Sequence, residues 1–159
     1  WNGTEYEKYG NAAKTWAVFT CTWQGMPLIY SGQESPNKKR LKFFDKDIID
    51  WQDPLELTDF YQTILHLRKT NAAVAEGETF ILPSEYSNQL MAFLRRKEGA
   101  VVLVLLNVSN EERIKIRVKH EWLTGTFKNI FSAMQFSFNA DELFELQAGE
   151  YVVYEKILE

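Results

Sequence analysis

The hydrophobic periodicity of this 159-residue chain changes once, near Ala75-Glu76-Gly77. Before that point apolar residues recur every three to four positions, interrupted by one short continuous run. After it nearly everything alternates with period two. These two periods belong to helices and strands, and neither pattern is compatible with the other element. A helical stretch over 1–75 and an antiparallel β unit over 76–159 are therefore expected.

In the first stretch Tyr9, Ala12, Ala13, Trp16, Ala17, Phe19, Thr20 and Trp23 describe one amphipathic helix with a wide aromatic face. Gly25 and Pro27 stop it. Met26-Pro27-Leu28-Ile29-Tyr30 follows as a non-alternating apolar run, which predicts a strand buried on both faces. Helix then buried strand is half of a βαβ unit. A long polar loop covers 33–52. Asp53-Pro54-Leu55-Glu56 then offers a capping acceptor, a first-turn proline and a closing acid. Leu57, Phe60, Tyr61, Ile64, Leu65 and Leu67 carry a second helix to about Asn71.

In the second stretch strands are predicted at 79–82, 89–96, 100–107, 113–118, 126–129, 142–147 and 150–156. Ile114, Ile116 and Val118 should face inward while Arg113, Lys115 and Arg117 face water. The run 101–106 is apolar on both faces and reads as a central strand. Short strands with turn signals between them indicate an antiparallel sandwich.

Composition removes several functional classes. One cysteine, Cys21, excludes an internal disulfide framework and a cysteine zinc site. The net charge of -4 argues against nucleic-acid binding. No apolar run approaches the roughly 18 residues that span a membrane. Phosphate-binding glycine motifs are absent. Cys21, among bulky apolar neighbours, reads as a buried inert thiol, and His66 as a surface or half-buried ring of the second helix. Asp45, Asp47, Asp50 and Asp53 lack the glycine and closing glutamate of a calcium loop, so a solvated loop is the better reading. Lys38-Lys39-Arg40 likewise reads as a solvated face.

Gly25-Met26-Pro27-Leu28-Ile29-Tyr30-Ser31-Gly32-Gln33-Glu34 carries more. An aromatic ring, an amide and a carboxylate gather at one strand end, where open-sheet and barrel enzymes hold ligands. That set suits a sugar. The segment resembles the last barrel strand of the α-amylase family of glycoside hydrolases, Gly-x-Pro-x-x-Tyr-x-Gly-x-Glu. Phe43-Phe44-Asp45-Lys46-Asp47-Ile48-Ile49-Asp50-Trp51 resembles the loop after that strand, and Phe60 through Lys69, with Leu67-Arg68-Lys69, the final barrel helix. Asn71-Ala72-Ala73 with Gly77 resembles the exit into the family's C-terminal β domain. Trp1-Asn2-Gly3-Thr4 resembles the loop behind its Asn-His-Asp motif, and the β stretch adds weaker agreement at Asn107-Val108-Ser109, Leu123 to Phe127 and Ala148 to Tyr154.

The resemblance implies a mixed fold: a helix–strand–helix remnant of a (β/α)8 barrel over 1–75, then the antiparallel β-sandwich of an amylase C-terminal domain over 76–159. It implies a parent enzyme that cleaves or transfers α-linked glucose units of starch and maltooligosaccharides with retention. That chemistry uses a nucleophilic carboxylate and an acid/base about 5 Å apart. The nucleophile, the acid/base and a third Asp would all lie before residue 1, so no catalytic residue is assigned here and the chain alone is expected to be inactive. Tyr30, Gly32, Gln33 and Glu34 would form one wall of the parent's site, or support the missing acids. No metal site and no cofactor are expected, and any calcium the parent binds is held through regions absent here. The expected partner is an α-glucan, with neither nucleic acid nor membrane. Isolated from barrel neighbours, the run from Met26 to Tyr30 is expected to drive self-association or to leave 1–75 poorly ordered. A start at Trp1 without Met reads as a fragment, and the compartment stays open. The alternatives are a stand-alone carbohydrate-binding sandwich using Trp122 and Tyr86, and a scaffold that oligomerises through the first helix and strand.

Overall fold

The structure, a computed structural model, describes residues 3–42, 44–51, 56–86, 88–110 and 112–158. They form three layers: helices, a six-stranded antiparallel sheet, and a two-stranded sheet. The helices are α1 (Glu5–Tyr9), α2 (Ala13–Thr22), α3 (Thr58–Thr70) and α4 (Ala72–Glu76). The strands are β1 (Glu78–Ile81), β2 (Leu90–Lys97), β3 (Ala100–Asn107), β4 (Ile114–Lys119), β5 (Gly125–Asn129), β6 (Gln135–Phe138), β7 (Asp141–Leu146) and β8 (Tyr151–Lys156). The large sheet runs β1-β2-β3-β8-β5-β6, and β4 pairs with β7.

The two-sided apolar character of β3 has a direct cause. Val101, Leu103 and Leu105 face the short sheet with Ile114, Ile116, Val118, Phe144 and Leu146. Val102, Val104 and Leu106 face the helices with Val18, Cys21, Ile64 and Leu67. A central strand covered on both faces has no polar side to show. On β4 the alternation is clean, with Ile114, Ile116 and Val118 buried and Lys115, Arg117 and Lys119 exposed. Each strand expected over 76–159 is present within a residue or so of its expected ends.

Three local features differ. The first helix does not run unbroken from Tyr9: Gly10, at φ +53, ends α1, and a 3-10 turn over Gly10–Ala12 leads into α2. The strand β6 went unexpected; Asn129 Oδ1 accepts from the backbone N–H of Phe131 and Ser132, folding the chain back from β5. The run 26–30 forms no ladder with any described residue. Met26, Leu28 and Tyr30 are 93%, 78% and 64% exposed, so the strand expected to be buried on both faces is an open extended segment. Its apolar character calls for neighbours on both sides, and the described residues provide one only beneath Pro27 and Ile29. The cap expected at Asp53 lies outside the described residues.

Two buried or half-buried arginines finish the helices. Arg68 of α3 donates to the carbonyls of Cys21 (3.1 Å), Trp23 (3.1 Å) and Gly25, satisfying the end of α2. Arg95 of β2 donates to the carbonyls of Ala73 and Val74, both at 3.2 Å, and to that of Gly77 at 2.7 Å, at the end of α4.

Candidate functional site

The segment carrying Tyr30, Gly32, Gln33 and Glu34 leaves the end of α2 and turns back at Ser31-Gly32. The turn is closed twice: Gln33 N–H donates to the Tyr30 carbonyl at 3.1 Å, and Tyr30 N–H donates to Gln33 Oε1 at 2.5 Å. Gly32 sits at φ +94, and a Cβ there would lie 3.0 Å from Ile49 Cγ2. Both the backbone conformation and the close approach therefore call for glycine.

Around this turn lies an open pocket of about 200 Å³, lined by Thr4, Glu5, Tyr30, Gly32, Gln33 and Arg40 among others. Its far wall comes from the N-terminal segment. Thr4 caps α1 in a reciprocal arrangement: Glu7 N–H donates to Thr4 Oγ1 at 3.2 Å and Thr4 N–H to Glu7 Oε2 at 2.7 Å. The same Glu7 carboxylate takes the Arg40 guanidinium, whose Nε lies 2.9 Å from Oε2 and Nη2 3.0 Å from Oε1. Arg40 first, then the Thr4 backbone N–H, hold the Glu7 carboxyl down at about 2. This fork ties the N-terminal segment to the loop after the turn.

Gln33 is spent on architecture. Its Oε1 takes the Tyr30 amide, and its Nε2 donates to Glu5 Oε1. Tyr30, by contrast, lines the pocket with its side chain largely exposed. Tyr30, Gly32 and Gln33 thus share one pocket, while Glu34 is absent from its lining and lies next to the helical layer. The Glu34 carbonyl accepts from Leu57 N–H at 3.0 Å, and its Oε2 is buried with no hydrogen-bond partner. Burial, then the nearby Glu5 and other groups including Glu34, push the Tyr61 hydroxyl far above its usual range.

The other sequence candidates resolve into structure. Asp47 accepts from Lys39 Nζ at 2.6 Å, Lys42 N–H at 3.0 Å and Ile48 N–H at 2.8 Å, which makes it a loop staple. Among the described residues no group of three His, Cys, Asp or Glu could hold a metal ion. No helix among the described residues is long and apolar enough to cross a membrane. Cys21 is fully buried, and burial pushes its thiol up, away from the reactive thiolate. The Trp122 ring is already engaged: Phe80 meets it edge-on at 4.7 Å, Arg96 Cζ lies 4.2 Å from its centroid, and His120 lies at 4.5 Å. Tyr86 is half-buried against the sandwich core.

Glu5, Glu7 and Arg40 are site residues that sequence reasoning missed. Thr4-x-x-Glu7 is a capping-box pattern and was available as a signal. The pairing with Arg40, 33 residues away, had none.

Helices laid on one face of a six-stranded sheet, with a short second sheet on the other, are the fold of the C-terminal portion of amylase-type enzymes. The maltogenic α-amylase AmyB from Thermotoga neapolitana superimposes with a TM-score of 0.76 at 19% identity, over 94% of this chain and 37% of that one. Residues 79–154 match the family described as Maltogenic Amylase, C-terminal domain. Alpha-amylase 2 of Dictyoglomus thermophilum is 27% identical over 128 residues, 73% of this chain and 21% of the relative. A cyclomaltodextrinase of Bacillus sp is 30% identical over 97 residues, 57% of this chain and 17% of the relative. The chain is therefore similar to the C-terminal part of α-amylase family enzymes, and it spans about a fifth of the length of these curated relatives.

Proposed function

We propose that residues 1–75 are the end of a catalytic barrel and residues 76–159 the C-terminal sandwich of a retaining glycosidase acting on α-glucans. In this reading Tyr30, Gly32, Gln33 and Glu34 belong to one wall of the substrate site. Tyr30 offers a ring face to a glucose unit, Gly32 allows the turn, and Gln33 holds the turn shut. Glu34 stands behind the wall. The chain supplies no nucleophile and no acid/base, so hydrolysis depends on carboxylates from elsewhere in the enzyme. The observation that carries this reading is the pocket at the turn, which the exposed Tyr30 lines together with Thr4, Glu5, Gln33 and Arg40.

The test has two arms. Purified chain should not turn over soluble starch or a nitrophenyl maltooligoside; turnover that tracks with the protein would overturn the reading. Saturation-transfer NMR with maltotriose should show weak contact at the Tyr30 ring, lost in Tyr30→Ala. Contact unchanged in that variant would remove Tyr30 from the wall.

The alternative, a stand-alone carbohydrate-binding module, needs an unobstructed aromatic platform. The engagement of Trp122 by Phe80, Arg96 and His120 speaks against it. Retention on a starch column lost in Trp122→Ala would favour it. We further propose that the isolated chain self-associates through the exposed run from Met26 to Tyr30.

A further inference from the structure

The pocket and the sandwich are joined through one short piece of backbone. The 3-10 turn over Gly10–Ala12 separates α1 from α2, and α1 carries Glu5 and Glu7, which accept from Gln33 and Arg40 across the pocket. Residues 147–150, between β7 and β8, reach this joint from the sandwich side. Gly149 stands at φ +68, and a Cβ there would lie 2.8 Å from the Asn11 carbonyl oxygen and 3.1 Å from Asn11 Cβ. Thr15, fully buried in the first turn of α2, donates from Oγ1 to the Gly149 carbonyl at 2.5 Å. From the neighbouring loop Asn110 Oδ1 accepts from Ala12 N–H at 3.3 Å. The β7–β8 turn is itself braced. Gly149 N–H donates to the Ser109 carbonyl at 2.8 Å, Gln147 N–H to Glu150 Oε2 at 2.6 Å, and Asn107 Nδ2 to the Gln147 carbonyl at 2.9 Å.

We propose that the β7–β8 turn of the sandwich positions the substrate site, with Gly149 and Thr15 as its positioning residues, a step that rests on the substrate-wall reading above. By fixing the joint, the two residues set where α1 places Glu5 and Glu7 against Gln33 and Arg40. Three features support this. A helix of 5 residues cannot hold its own direction, since so short a segment is unstable without outside contacts. Gly10, at φ +53, is a permissive link, so the angle at which α1 leaves the joint is decided by what braces it. The Glu7–Arg40 pair is exposed, and such pairs contribute little unless their partners are already held in place. The turn supplies that hold from a rigid support, because its own hydrogen bonds run back to the end of β3 at Asn107. The sandwich thus does more than cover the apolar side of the helices: through Gly149 it governs the far wall of the pocket.

The experiment follows two signals in the unaltered chain and in Gly149→Ala, Thr15→Val and Thr15→Ser. Carboxyl carbon shifts of Glu7 through a pH titration read the Arg40 fork, and saturation transfer from maltotriose reads the Tyr30 wall. Gly149→Ala drives a Cβ into the Asn11 backbone. Thr15→Val keeps the shape and removes the hydroxyl, and Thr15→Ser restores the donor. Phe127→Leu, in the sandwich core, controls for lost stability alone, and circular dichroism checks that each variant is folded. In Gly149→Ala and Thr15→Val the Glu7 midpoint should rise from about 2 toward 4.5, and the Tyr30 contact should be lost. In Thr15→Ser and Phe127→Leu both signals should stay as in the unaltered chain. Should Gly149→Ala fail to fold, the Thr15 pair decides. A Glu7 midpoint unmoved in folded Thr15→Val, or moved equally in Phe127→Leu, would overturn the positioning role. A Tyr30 contact that survives while Glu7 moves would overturn it as well. Absence of any maltotriose contact in the unaltered chain would instead remove the substrate-wall reading, and the Glu7 result would still decide whether the turn holds α1.

Discussion

Arg95 Nη2 lies 2.7 Å from the carbonyl oxygen of Gly77, joining the middle of a strand to the point where the helical pattern ends. Arg95 is 1% exposed, and the described residues give it no carboxylate partner. Its guanidinium is satisfied by the carbonyls of Ala73, Val74 and Gly77 and by Thr79 Oγ1 at 2.5 Å. Burial lowers its pKa, and a guanidinium remains charged regardless.

Replacing Arg95 should therefore cost more than an ordinary surface change. Arg95→Ala removes a donor from three helix-end carbonyls, of which that of Ala73 keeps the Gly77 N–H, and opens a buried space, a loss of roughly 2–4 kcal/mol by the usual costs of unsatisfied buried carbonyls and of a core cavity. Arg95→Lys should recover only part of it, since an ammonium cannot reproduce the planar fork. Urea denaturation measures both. Gly77→Ala should be comparably severe, because a Cβ there would sit 2.3 Å from the Ala73 carbonyl oxygen and 2.5 Å from that of Arg96. Both obstacles are backbone and cannot swing away.

Asn107, at the end of β3, should be a second sensitive point. Its Nδ2 donates to the carbonyls of Glu112 (2.8 Å) and Gln147 (2.9 Å), and its Oδ1 accepts from Ser109 N–H at 3.0 Å. Asn107→Ala should lose roughly 2–4 kcal/mol through unsatisfied buried groups. Asn107→Asp is informative in another way. A carboxylate aimed at carbonyls favours its protonated form in the folded state, so that variant should lose stability as pH rises through the carboxyl range. Melting temperatures at pH 3.5 and 7, two points roughly on either side of the usual carboxyl pKa, check the sign.

Glu7 should show the opposite behaviour. Its carboxyl titrates at about 2, against an ordinary value of 4.5. The stabilisation from the Arg40 fork is thus present above about pH 4.5 and is lost as pH falls toward 2. The pair is exposed, so the effect should shrink in high salt. Carboxyl carbon shifts recorded through a pH titration follow Glu7 directly, and Arg40→Gln should return it toward the ordinary range. An unshifted Glu7 in the native chain would show that the fork does not form in solution.

What could be read from the sequence followed from spacing along the chain. The alternation Ile114-Lys115-Ile116-Arg117-Val118-Lys119 needs only its own neighbours to specify one wet face. The two-sided run in β3 announces burial without saying against what. Asn129 folding back onto Phe131 and Ser132 uses side-chain geometry that periodicity does not encode, so β6 was hidden. Arg68 and Arg95 are spent on carbonyls 18 to 47 positions distant, and no local pattern distinguishes them from surface cations. At the site, the Tyr30-Ser31-Gly32-Gln33 turn was legible as a motif. The use of Gln33 to hold the turn, and the position of Glu34 behind it, depend on Glu5 and Leu57, which lie far from the turn in sequence.

Because Val102, Val104 and Leu106 serve the helices while Val101, Leu103 and Leu105 serve the sandwich, and Phe93 and Val153 of the flanking strands join the helix side, the helices share their apolar interior with the large sheet. The change of periodicity at residue 76 is thus a boundary of pattern but not of cooperativity. Heating should melt both stretches in a single transition, and a chain cut after Gly77 would yield helices with nothing to fold upon.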